Sequence, residues 1–243
     1  MSLLRDWLAA RAPWLGPPYR YFRAIRDSLA PCRDSYSQHG EDQYLWGQLS
    51  NYDLRDGVYV DVGASHPTTI SNTYLFYRKG SHGVTIDPNH ECVILHRRIR
   101  PRDIVIGVGC ANQVRVAAFR ISKTPVLSRF QHSKTRVSLL DREALREEFL
   151  PLLPLDIALM EIPIRWIYLL SIDVEGLDLE VLKGGNDTLG RTLFVCVEAD
   201  TESERVAINA FLAQRGFALQ RTMVCNQIFK NTDARFDTYL NEI

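Results

Sequence analysis

Several carboxylates in this sequence directly follow short apolar runs, where a side chain can act on a ligand. The segment Val58-Tyr-Val-Asp61-Val-Gly63-Ala64-Ser65-His66-Pro67 ends a β-branched run with an acid and a glycine turn. An acid and a tight turn at that point mark the crevice in which doubly wound sheets hold ligands. Asp87 closes the next run, residues 84–86, and a carboxylate so placed accepts both hydroxyls of a ribose. Together Asp61 and Asp87 point to a nucleoside-containing cofactor. In Ser171-Ile-Asp173-Val-Glu175-Gly176 two carboxylates share one face of an extended segment. Asp173 and Glu175 suit orienting an acceptor hydroxyl, taking its proton or binding a cation; the plainer reading is a helix start with acids near its N-terminus. Glu198 holds the matching place after Val195-Cys-Val197. His39 reads either as a general base or cofactor contact, or as a capping and packing residue.

The turn after Asp61 bears on the cofactor. A dinucleotide pyrophosphate needs G-x-G-x-x-G, because the second glycine lets the backbone approach the phosphates. Here Ser65 and Thr68 occupy the second and third glycine positions. S-adenosylmethionine carries no phosphate and tolerates that turn, so D-x-G-A favours it over NAD. The absence of any Tyr-x-x-x-Lys pair also argues against a nicotinamide oxidoreductase. Gly63-Ala-Ser65-His-Pro67 resembles a nucleophile elbow that has lost its last glycine. A hydrolase of that type needs a late histidine, and none follows His132 in this chain of 243 residues. No His, Cys, Asp and Glu cluster has zinc-site spacing, so no metal is expected.

The elements that position these residues alternate. Short continuous apolar runs at 58–62, 84–86, 104–108, 114–121, 166–172 and 193–197 predict strands buried on both faces, as in a parallel sheet with helices on either side. Residues 72–78, 92–98, 177–183 and 206–215 read as the intervening helices, and 217–230 as a terminal strand pair. Residues 122–163 interrupt the rhythm as a proline-punctuated insertion, with a helix expected at 141–150. The chain is 46% hydrophobic and 24% charged, which fits one soluble α/β domain. Lys+Arg and Asp+Glu are both 29, so no nucleic-acid partner is expected.

Residues 1–34 form a distinct extension ahead of the 35–243 domain. Six arginines (5, 11, 20, 23, 26 and 33) face Asp6 and Asp27, and Pro13, Pro17 and Pro18 divide the stretch into two short helices. This basic, aromatic element suits contact with an anionic membrane surface, or packing on the domain or on a second copy in a homodimer. A serine with Gln38 three residues on, in Ser35-Tyr-Ser-Gln38-His39-Gly-Glu41-Asp42, fits a helix cap. The five cysteines (Cys32, Cys92, Cys110, Cys196, Cys225) make no C-x-x-C pair and read as buried free thiols of a reducing compartment. With no apolar run of membrane-spanning length and no secretory leader, the expected location is cytoplasmic, with a peripheral membrane contact open.

These pieces resemble the FkbM family of S-adenosylmethionine-dependent methyltransferases. The resemblance rests on Ser37-Gln-His-Gly-Glu-Asp42, Val60-Asp-Val-Gly-Ala64, Ser71-Asn-Thr-Tyr-Leu-Phe-Tyr77, Asp87-Pro-Asn89 and Leu170-Ser-Ile-Asp-Val-Glu-Gly176, in that order. It implies a class I methyltransferase (Rossmann-like) doubly wound sheet, mostly parallel with an antiparallel last strand. It also implies O-methylation of a hydroxyl on a glycan or small molecule. Asp61, Gly63, Ala64 and Ser65 would hold the methionine part of S-adenosyl-L-methionine, and Asp87 with Pro88 the ribose. Asn72 and Tyr74 would line the methyl-transfer end, with Cys110 also on the cofactor side. Asp173, His39 and Glu175 are the candidate catalytic groups. Gln38, Glu41 and Glu198 are expected on the acceptor side. The acceptor this suggests is a sugar hydroxyl of a bacterial surface glycan or glycolipid. A natural-product hydroxyl, or an inactive methyltransferase-like partner protein, is the alternative.

Overall fold

A computed structural model describes residues 16–122, 128–130 and 144–241. In chain order the described elements are α1 (Gly16–Leu29), α2 (Glu41–Leu49), β1 (Gly57–Val62), α3 (Tyr74–Arg78), β2 (Gly83–Ile86), α4 (His90–Ile99), β3 (Ile104–Ile106), β4 (Gly109–Cys110), β5 (Arg115–Ser122), β6 (Arg129–Phe130) and β7 (Ala144–Leu153). There follow α5 (Leu155–Leu159), β8 (Trp166–Ile172), α6 (Asp178–Lys183), α7 (Asn186–Gly190), β9 (Thr192–Glu198), α8 (Glu202–Ala213), β10 (Phe217–Met223), β11 (Asn226–Asn231) and α9 (Arg235–Asn241).

Among the described residues, seven strands form one sheet in the order β10-β11-β9-β8-β1-β2-β3. β3, β2, β1, β8 and β9 pair in parallel, and β11 runs antiparallel to both β9 and β10. The chain builds outward from β1 to β3, then crosses back and builds the other way from β8. The order therefore reverses between β1 and β8, and ligands bind at such a switch point. Val60, Val62, Val84, Ile86, Leu170, Ile172, Val195 and Val197 pack one face of the sheet. Tyr59, Trp166, Tyr168, Phe194 and Ile228 pack the other, against Leu45, Tyr74 and Phe76. A bulge where β8 pairs with β1 shifts the register, so Tyr168 and Leu169 both turn to the aromatic face.

Three expectations are corrected. Residues 114–121 are not a strand of the main sheet. β5 belongs to a second sheet, β4-β7-β5-β6, and alternates exposed Val116 with buried Phe119 and Ile121. The helix expected at 141–150 is instead strand β7 over its described part, because antiparallel pairing with β5 outweighs its helix-forming composition. Of the two proline-divided N-terminal helices, the first lies outside the described residues. The second starts at Gly16 with Pro17 and Pro18 in its first turn, where a missing N–H costs nothing. No described helix is long and apolar enough to cross a membrane.

Candidate active site

The turn after β1 is shaped by close packing. Gly63 has φ +82°, and a Cβ there would lie 1.8 Å from the Asp173 carbonyl oxygen. The Asp173 N–H donates to Val62 O at 3.0 Å, so β1 and β8 end together. The Gly63 and Ala64 N–H groups both donate to Ile86 O, which holds the turn over β2. Asp87, at the β2 tip, accepts from Ser65 N at 2.8 Å and from Asn89 N at 2.7 Å. Its carboxylate is thus fixed by backbone on two sides. Burial, above all, pushes its pKa up to about 6, while those two bonds pull the other way.

These strand tips surround a cavity of about 550 Å³. Gly63, Ser65, Asp87, Pro88 and Cys110 line it. Asp173, Glu175 and Glu198 line it at the β8 and β9 tips, and Gln38 and His39 close it from the N-terminal side. Burial, above all, raises the pKa of both Asp173 and Glu198. Asp178, behind them, accepts from Val174 N and Gly176 N at 3.1 Å each, and burial raises it to about 7. Cys110 is buried and its thiol is pushed up to about 12, which makes it an apolar wall rather than a nucleophile.

Five expected site residues stand behind the wall instead of in it: Asp61, Ala64, Asn72, Tyr74 and Glu41. Strand alternation accounts for Asp61, which lies opposite Ser171 in the register and between the core-facing Val60 and Val62. Its Oδ2 accepts from Thr73 Oγ1 at 2.5 Å, beside the fully buried Arg100. Arg100 in turn donates to Thr73 Oγ1 (2.9 Å), Ser71 Oγ (2.7 Å) and Pro67 O (2.7 Å), and lies 3.7 Å from Asp103. Asp61 therefore anchors the loop that runs from β1 to α3. Asn72 bridges Ser171 Oγ and Cys196 Sγ, and the Tyr74 ring packs against Tyr36 and Tyr77. Glu41 accepts from Asn226 Nδ2 at 2.8 Å and from His39 N at 2.9 Å, clamping the His39 loop to β11.

That loop is organised by Asp42, which accepts from the hydroxyls of Ser35 and Ser37 and from Tyr36 N. Ser35 does not cap α2. Gly40, with φ +86°, precedes the helix, and the Ser37 hydroxyl accepts from the N–H groups of Gly40 at 3.1 Å and Asp42 at 3.3 Å.

The sequence gives little sign of Ile70, Asp200, Val224 and Cys225, which also line the cavity. Asp200 is legible only as a second acid shortly after Glu198. Ile70 and Val224 carry no such sign, yet they have φ of +54° and +49°. Left-handed backbone is an outlier for β-branched residues. Among the described residues, all four non-glycine positions with positive φ (Ser65, Ile70, Glu175 and Val224) lie in this one wall. Strain of that kind, about 1–3 kcal/mol per residue, concentrates at functional sites.

The sheet order, the single antiparallel strand and the cavity at the switch point define a class I methyltransferase fold. A sequence profile of the methyltransferase FkbM domain matches residues 61–219, so the chain belongs to the FkbM methyltransferase family. No curated protein matches it in sequence. Among solved structures it is similar to the METTL16 methyltransferase domain (11% identity, TM-score 0.46, 79% of this chain) and spans 66% of that domain's length. It is also similar to a TehB-like SAM-dependent methyltransferase from Corynebacterium glutamicum (10%, 0.43, 90% of this chain and 100% of that one). A methyltransferase from Geobacter sulfurreducens is a further match (14%, 0.43, 96% and 98%).

The family and fold imply S-adenosylmethionine. The wall fits it: the Ser65 hydroxyl is buried without a partner among the described residues, and the Asp87 carboxylate beside it is backbone-fixed and faces the cavity.

Proposed function

We propose that this chain methylates a hydroxyl group, on a sugar of a bacterial surface glycan or glycolipid, with S-adenosylmethionine as donor. The observation that carries the reading is the cavity at the switch point, lined by the strand-tip acids Asp87, Asp173 and Glu198, whose wall also holds every strained non-glycine residue described. Bound there, the donor supplies an electrophilic methyl group on a sulfonium. Asp87 holds the ribose hydroxyls, and Ser65 offers its free hydroxyl to the same ligand. The turn at Gly63 keeps the backbone close to Asp173, which aligns the acceptor oxygen. Most of the acceleration comes from that positioning. Transfer to a hydroxyl forms the O–CH3 bond, leaves the S–CH3 bonding pair on sulfur and frees one proton, which Asp173 accepts.

The test uses methyl-labelled S-adenosylmethionine, purified protein and a cell-envelope glycan fraction, with hydrolysed sugars read by mass spectrometry. An O-methyl sugar is expected. Asp173→Asn should abolish its formation while keeping affinity for the neutral product S-adenosylhomocysteine, and Asp87→Ala should lose both ligands. Near-normal turnover in Asp173→Asn, or label only in nucleic acid or protein, overturns the reading.

A further inference from the structure

Among the described residues the cavity wall is acidic. Asp87, Asp173, Glu175, Glu198 and Asp200 line it, and among the described residues no Lys or Arg does. Nor does any described Lys or Arg form an ion pair with Asp173, Glu198 or Asp200. Arg100, the buried cation nearest the sheet tips, is committed to the Asp61 and Asp103 side. Ligand atoms of Glu198, Asp200 and Cys225 lie within 4.8 Å of one another, so the acidic groups are clustered.

We propose that the Asp173–Glu198–Asp200 wall selects the cofactor by the charge on its sulfur, binding S-adenosylmethionine in preference to the product S-adenosylhomocysteine. The inference rests on the cofactor reading above. The two ligands share almost all their contacts and differ by one methyl group and one positive charge. Their affinity ratio therefore reports the field of the wall. A unit charge removed from about 6 Å changes that ratio by roughly tenfold at an intermediate dielectric. The wall thereby favours release of the neutral product and limits product inhibition. It also couples binding to protons: a cation favours the ionised form of the carboxyls beside it, and a neutral thioether does not.

Calorimetric titration of the full chain with each ligand, with a chelator present, tests this. Running it in two buffers of different ionisation enthalpy counts the protons released. S-adenosylmethionine is expected to bind at least about tenfold more tightly and to release more protons. Glu198→Gln and the exposed Asp200→Asn should each narrow the ratio several-fold; the second substitution leaves the core untouched. Equal affinities, tighter binding of the product, or a ratio unchanged in both variants overturns charge selection and leaves the methyltransferase reading standing. Binding of neither ligand overturns that reading, and the inference with it.

Discussion

The ligand-free protein should become more stable as the pH falls from about 8 to about 5, the reverse of the common trend. Asp87 and Asp178 are buried, and their pKa values rise from 3.8 to about 6 and about 7. A carboxyl with a raised folded-state pKa binds its proton in the folded chain while the unfolded chain has already lost it. Stability then falls as the pH climbs from the unfolded value to the folded one, and is level outside that window. Fully ionised, the two groups cost roughly 3 and 4 kcal/mol. Acidification from pH 8 to 5 recovers about 4 kcal/mol of this between them. His96 opposes it, because burial holds this imidazole neutral and its pKa lies well below 6.5. Its unfolded form gains a proton over the lower part of the range, which removes at most about 2 kcal/mol. Asp173 and Glu198, both raised by burial, act in the same direction as Asp87 and Asp178. The expected net gain is therefore at least about 2 kcal/mol. Urea denaturation followed by tryptophan fluorescence at four pH values measures it. Glu198→Gln mimics the protonated acid and should raise stability at pH 8 and flatten the profile. A midpoint that climbs steadily from pH 5 to pH 8 in the wild type refutes the argument.

Gly63→Ala forces a Cβ to within 1.8 Å of the Asp173 carbonyl in a left-handed turn. It should cost about 2–5 kcal/mol in urea denaturation and weaken cofactor binding in calorimetry. Arg100→Met removes the cation beside Asp61 and Asp103 together with its bonds to Pro67, Ser71 and Thr73. It should destabilise the fold by roughly 3–5 kcal/mol, measured the same way. If the basic α1 rests on an anionic bilayer, as we propose, its exposed Phe22 (68%) and Leu29 (81%) insert into it. The protein then sediments with phosphatidylglycerol vesicles and not with phosphatidylcholine, and Phe22→Ser with Leu29→Ser releases it; unchanged sedimentation of that variant refutes the contact.

The central sheet was readable because β1, β2, β8 and β9 are buried on both faces and so read as unbroken apolar runs. β5 and β7 were misread because each is defined by the other. Pairs such as Arg120 with Glu147 and Phe119 with Glu148 join positions far apart in sequence, and no local periodicity carries that information. The acids Asp87, Asp173 and Glu198 were legible as strand tips. Asp61, one residue before the end of β1, looked equivalent to them, but the two-residue period of the strand turns it away from the cavity. Ile70 and Val224 were invisible for a different reason. β-branched residues are the last to be assigned positive φ, so only a fold that compels it reveals them.

The buried charges divide into two systems. Asp61 and Asp103 have Arg100, hydroxyl donors from Thr73 and Tyr59, and no opening to the cavity. Asp87, Asp173 and Glu198 line the cavity and have backbone donors or one another, but no described cation. Removing one partner of a buried pair costs several kcal/mol, so the first system fixes the loop between β1 and α3. The second cannot serve that purpose, since burial without a cation opposes folding and raises the pKa of each member. Two apolar layers on the sheet's faces offset that cost. The carboxylates of Asp87, Asp173 and Glu198, paired with no described cation and set at the switch point beside four residues held in left-handed backbone, are what a site for a cationic ligand requires.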